Sequence, residues 1–128
     1  MKSIRLLGLL IGLISLLLGC GPSGIIPGAG ADIRGSITDI QQADAQSREE
    51  GIIGSVLIEG VIEEDTEFDK ASVTITDKTR VLEQKGEDRL SVTFESLKIG
   101  QRVEARFTGP VMESYPVQAT ASEIVILK

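Results

Sequence analysis

The chain has 128 residues, 13 basic and 19 acidic side chains, a formal charge of −6, one cysteine, and neither histidine nor tryptophan. Without imidazole there is no Ser-His or Cys-His nucleophilic pair and no ordinary His-ligated zinc. The acidic balance does not suit a phosphate backbone, which excludes nucleic acid as an expected partner.

Lys2 and Arg5 precede an apolar run over residues 6–18 (LLGLLIGLISLLL). As a helix this run covers about 20 Å, short of the roughly 30 Å of a bilayer core. Length, charge and position fit the hydrophobic region of a signal peptide. Leu17, Leu18, Gly19 and Cys20 resemble a bacterial lipobox, where a signal peptidase cuts before a lipidated cysteine. The resemblance implies a signal peptide over residues 1–19, an acylated Cys20 and membrane lipid as a partner. A thiolate is the side-chain nucleophile suited to forming the thioether, and two or three acyl chains anchor where one would not. The expected address is the cell membrane or outer membrane, with the domain outside the cytoplasm. Gly21 rather than Asp after Cys20 points outward where a host has two membranes. Loss of Lys2 and Arg5 takes the formal charge from −6 to −8, so attachment rests on acyl chains rather than on attraction to anionic lipid. Cys20 is the sole cysteine, which leaves no disulfide to staple the fold.

Residues 21–31 (GPSGIIPGAGA) favour neither helix nor sheet, and with Cys20 they form a flexible tether. Residues 32–128 are then one small domain. Its aromatics are Phe68, Phe94, Phe107 and Tyr115, so its core must be aliphatic and β-branched.

The domain opens with a strand over residues 33–40, Ile33, Gly35 and Ile37 on one face. Residues 41–50 (QQADAQSREE) are polar and predict a long loop holding a helical turn or two. Residues 51–62 (GIIGSVLIEGVI) are apolar at both parities, which marks a central or curved strand able to bend at Gly54 and Gly60. Residues 63–69 (EEDTEFD) form an acidic loop. Asp65, Glu67 and Asp69 have the alternation of a calcium loop, a weak metal candidate. Lys70 stands where the turn glycine belongs, however, and Thr76 where the closing glutamate belongs, so a solvated loop is the preferred reading.

Residues 71–76 alternate with Val73 and Ile75 inward, and Asp77-Lys78-Thr79 continue towards Arg80-Val81-Leu82. A turn follows at residues 86–88, then a strand with Leu90, Val92 and Phe94 inward. Residues 95–100 read as a short helical turn ended by Gly100. Residues 101–107 put Val103, Ala105 and Phe107 on one face and Arg102, Glu104 and Arg106 on the other. A closing strand over residues 119–127 carries a bulge near Ser122 and Glu123. The expected fold is all-β in the main: a small OB-like β-barrel of five to six strands with one short helical turn.

Residues 109–116 (GPVMESYP) predict a loop bracketed by prolines, and Glu113, Ser114 and Tyr115 make it the candidate ligand or partner loop. Tyr115 would be its apolar anchor and Glu113 its polar selector. The blander alternative packs Tyr115 over a barrel end with its hydroxyl tied to backbone. Glu113 with Glu123 or Glu104 could form a carboxylate pair for glycoside hydrolysis. Ser114 with a lysine lacks any nucleophile elbow or S-x-x-K pattern. With no catalytic motif and no cofactor expected, the leading function is binding of an envelope protein, glycan or small ligand. The alternative is a structural or stress-related envelope lipoprotein without a discrete site, and a hydrolase ranks last.

Three stretches, residues 75–81 (ITDKTRV), 97–103 (LKIGQRV) and 109–119 (GPVMESYPVQA), resemble a family of small bacterial lipoproteins, domain of unknown function 3221. The resemblance runs over residues 33–127 and is most specific in GPVMESYPVQA. It implies a secreted or lipid-anchored OB-like barrel and adds no mechanism.

Overall fold

The computed structural model describes residues 30–127. The signal-peptide stretch, Leu17, Leu18, Gly19, Cys20 and the tether up to residue 29 lie outside the described residues. The elements run β1 (Ile33–Gln42), α1 (Ala45–Glu49), β2 (Ile52–Glu59), β3 (Lys70–Thr76), β4 (Arg80–Lys85), β5 (Asp88–Ser91), a 3-10 turn (Phe94–Ser96), β6 (Arg102–Met112) and β7 (Val117–Ile126). There are thus seven strands among the described residues, in one sheet of order β3-β2-β1-β6-β7-β4-β5.

β3 also pairs with β7 in parallel, Ala71 to Val117 through Thr74 to Thr120, which brings β1, β2, β3, β7 and β6 into a ring. The ring is closed over part of its height, since the β3–β7 and β1–β6 ladders are each four residue pairs long. This is the OB-like barrel expected from the strand pattern. Strand alternation fills it: Ile33, Ile37, Val56, Ile58, Val73, Ile75, Val103, Ile124 and Ile126 point inward and are buried. Phe94 and Leu97 join this core, and Phe94 occupies the space that a side chain at Gly54 would need. Phe68 and Phe107 stack with ring centroids 5.8 Å apart, near where the chain enters the domain. There Ala31, already buried, donates its N–H to the Asp65 carbonyl.

Several sequence expectations change in detail. Asp77 and Lys78 form a turn, so residues 71–82 are two strands, both parallel to β7. Thr79 spans the break by donating its hydroxyl to the Ala121 carbonyl at 2.7 Å. Val61 and Ile62 are exposed because they lie beyond the last β2–β3 bond, which the Gly60 N–H donates to the Asp69 carbonyl. Leu90 is exposed on edge strand β5. The helical turn begins at Phe94, one residue earlier than expected, whereas the turn expected within residues 41–50 is there as α1. Its N-cap is Asp44, which accepts from the Ser47 N–H at 2.8 Å. β6 continues to Met112, so residues 109–112 belong to a bulged strand and the true loop is residues 113–116. The bulge expected near Ser122 is there: Arg106 faces Glu123 while Phe107 faces Ala121, leaving Ser122 as the extra residue.

Candidate binding face

Side chains that alternate with the core point outward, and the pairing registers align them across strands. On β2, β3 and β7 this produces two rows: Ser55, Thr74 and Thr120, then Leu57, Ser72 and Gln118. None of these six carries a charge. Among the described residues, the hydroxyls of Ser55, Ser72, Thr74 and Thr120 and the amide of Gln118 make no hydrogen bond within the protein. Elsewhere Thr38 donates to Glu59 and Ser122 to the Arg106 carbonyl, while the hydroxyls of Ser36, Ser91, Thr93, Ser96 and Thr108 are likewise without an internal bond but are scattered rather than aligned in rows.

Two depressions meet on this face at Thr74. One, of about 370 Å³, lies between Thr74, the β6 bulge at Pro110, Val111 and Met112, and Gln118 to Thr120. The other, of about 260 Å³, runs from Thr74 and Ser55 to Gln41, Asp44 and Ser47 beside α1. In OB-like barrels the β2–β3 face and its flanking loops are the usual place for a ligand. Here the flanking loops are residues 43–51 and the β6–β7 hairpin.

The sequence-chosen loop sits at one end of the face. Tyr115 is 69% exposed, so it is no core residue, and its hydroxyl donates to the Asp69 carboxylate at 3.2 Å rather than to backbone. The Lys70 ammonium lies 5.8 Å from the ring centroid. Partial desolvation, then the Asp69 and Glu59 carboxylates, raise the phenol above its ordinary value of 10.0. Ser114 donates its hydroxyl to the Pro116 carbonyl at 2.8 Å, which fixes the loop. Glu113 is exposed beside it.

The other candidates are drawn elsewhere. Both carboxylate oxygens of Asp65 are held by Arg34 at 3.0 and 2.8 Å, and Asp69 accepts from Tyr115. Glu67 is anchored by its backbone N–H to the Asp32 carbonyl. The acidic loop therefore does not converge its carboxylates. Among the described residues no group of three or more His, Cys, Asp or Glu is placed to hold a metal ion. Glu104 and Glu123 share Arg106 at 3.7 and 3.0 Å, far along β6 and β7 from the hairpin that carries Glu113. Arg34, Arg80, Arg89, Arg102 and Arg106 with Glu63, Asp65, Glu104 and Glu123 make an ion-pair network over the outside of β1, β6 and the β7 end. The charge-free rows of the β2–β3–β7 face stand out against this surface.

Sequence reasoning missed the rows, because Ser, Thr and Gln at outward strand positions read as ordinary solvent contacts. The available signal was that Ser55, Ser72, Thr74, Gln118 and Thr120 replace the charges found at outward positions of β6.

The carboxyls of Asp65 and Asp44 ionise below their ordinary 3.8. The Arg34 hydrogen bond is the main cause for Asp65 and the Ser47 backbone N–H for Asp44. A depressed carboxyl binds fewer protons folded than unfolded, so its contribution is full above about pH 4 and is lost as pH falls through the lowered values. The melting temperature is therefore expected to fall below pH 4. The Asp65→Asn variant should melt lower at neutral pH and show a shallower decline in a pH series of thermal melts.

The architecture defines a class: a small OB-like barrel with an open, uncharged face. The family described as protein of unknown function (DUF3221) matches residues 50–128, and the chain belongs to it. The matched part takes in β2 to β7 and leaves β1 outside it. No curated protein and no solved structure matches the chain.

Proposed function

We propose that this chain is an extracytoplasmic lipoprotein, held to a cell membrane or outer membrane through acylated Cys20, whose barrel is a binding module. The observation that carries the binding role is the β2–β3–β7 face, where four polar side chains without internal partners, Ser55, Thr74, Gln118 and Thr120, line two depressions that meet at Thr74. These side chains are open to solvent and uncommitted, so a ligand seated on the concave face can bond to them without first breaking a bond inside the protein. Tyr115 closes one end as an aromatic surface, with Asp69 and Lys70 holding its ring. The chemistry is recognition by neutral donors and acceptors, and neither cofactor nor catalytic group takes part. The lipobox resemblance supports the address.

Two measurements test this. Cys20→Ser should move the protein from the membrane to the soluble fraction and abolish labelling by a radioactive fatty acid; membrane retention with no labelled wild type would defeat the lipoprotein reading. For the face, Thr74→Arg fills the junction of the two depressions with a side chain that extends into solvent. In a thermal-shift screen, a ligand at about a hundred times its Kd should stabilise the wild type by roughly 2.7 kcal/mol. Thr74→Arg should lose that shift while its ligand-free melt is unchanged. A shift that survives Thr74→Arg would place binding elsewhere.

A further inference from the structure

We infer that the ligand of this face is an uncharged oligosaccharide, laid across β2, β3 and β7 with one sugar ring on Tyr115. The inference rests on the binding role proposed above and names its ligand class. Three observations carry it.

First, the rows offer hydroxyls and an amide, groups that both donate and accept, and no fixed charge. Sugar hydroxyls have the same dual character, so each can meet a partner in either sense. The charged groups nearest the rows are Glu59, Asp69 and Lys70 at one end and Asp44 and Arg48 at the other, with acids in slight excess, which disfavours a polyanion.

Second, an extended peptide has no backbone to pair with here. β2 lies between β1 and β3, β3 between β2 and β7, and β7 is paired with β3, β4 and β6. Strand addition needs an open edge; these rows have none, and the open edges of the sheet are β5 and the parts of β1 and β6 beyond their four-pair ladder. A folded protein partner wants an apolar centre in its patch, whereas the centre of this one is Thr74 flanked by Ser55, Ser72 and Thr120.

Third, Tyr115 is exposed and held in place, its hydroxyl on Asp69 and Lys70 over its ring. An aromatic ring fixed at the end of a polar strip provides an apolar surface for the C–H face of a pyranose, with polar groups beyond it.

The test uses the full chain in a zwitterionic detergent, which avoids glycoside detergents. The probes are linear tetrasaccharides of N-acetylglucosamine and of β- and α-linked glucose, with polygalacturonate as the charged control. Binding is read by calorimetry, and the face by backbone amide NMR shifts. The expected result is saturable binding of a neutral tetrasaccharide with shifts on β2, β3 and β7. Tyr115→Ala should weaken it roughly tenfold or more, Tyr115→Phe should largely retain it, and Thr74→Arg should abolish it. Failure of all neutral glycans, while an uncharged peptide or metabolite binds in a Thr74-dependent way, overturns the sugar and leaves the binding face standing. Glycan binding indifferent to both Thr74→Arg and Tyr115→Ala overturns the face itself. Binding of polygalacturonate in preference to the neutral sugars overturns the charge argument.

Discussion

Gly35→Ala is expected to destabilise the barrel by about 3 kcal/mol, the upper end for forcing extra volume into a packed site. The melting temperature of a domain this size should drop by roughly 12–24 °C. The cause is backbone against backbone. A β-carbon at Gly35 would stand 2.2 Å from the Glu59 carbonyl oxygen and 2.7 Å from the Gly60 nitrogen, and one at Gly60 would stand 2.2 Å from the Arg34 carbonyl oxygen. Neither strand can yield alone, since Ser36 is paired with Glu59 at that point and Gly35 with Val103 on the other side. Gly86→Ala is the comparison. Its site is open, with nothing within 4 Å, and the cost is the left-handed backbone at φ +62° alone, about 1 kcal/mol. Equal melting of the two variants would mean that the β1–β2 contact is looser than these distances.

Arg34→Met should cost about 3 kcal/mol, because it removes the principal partner of a buried carboxylate. Glu104 is 7% exposed at its side chain and accepts from the Arg34 guanidinium at 3.0 Å, while Arg89 and Arg106 stand back at 3.7 Å. The same guanidinium holds Glu63 and Asp65, so it fastens the β2–β3 loop to β1 and β6 at once. Its own protonated form is favoured accordingly, Asp65 being the largest cause. Glu104→Leu alone should cost about 2 kcal/mol, since it leaves arginines facing one another across a sheet where Val125 and Leu82 are already buried. The double variant should cost less than the sum by about 2 kcal/mol, because the Arg34–Glu104 contact is then lost once rather than counted in both single variants. Strict additivity in chemical denaturation would show that the pair is not coupled. Arg80, exposed and bonded to Glu123 at 3.3 Å, should contribute under about 1 kcal/mol by the same method.

These two sites differ in how far the sequence announces them. Gly35 and Gly60 are visible as glycines in strand-like runs, and a bend at Gly60 is a fair expectation. Their mutual approach is a matter of register, which only the paired strands reveal. Glu104 alternates with Val103 and Ala105 as an outward residue, and nothing in that alternation says it is buried. It is buried because Arg34 and Arg89, distant in sequence, close over it.

The same division runs through the whole molecule. Residue order alone determined the all-β class, the inward sets of β1, β3 and β6, the turn at Gly86 and the bulge at Ser122, because these depend on alternation and on turn chemistry between near neighbours. It also supplied Tyr115 as a candidate, through its place beside Glu113 and Ser114 between two prolines; the scarcity of aromatics argued instead for a packed ring, and the 69% exposure of Tyr115 overturns that. Tertiary structure decided what depends on partners far along the chain: the exposure of Leu90, Val61 and Ile62, the strand character of residues 109–112, and the pairing of Glu63 and Asp65 with Arg34. It decided the candidate face as well. Thr74 and Thr120 are ordinary hydroxyls in two separate strands until the parallel β3–β7 ladder sets them side by side, and a local pattern carries no information about which strand will lie next to it.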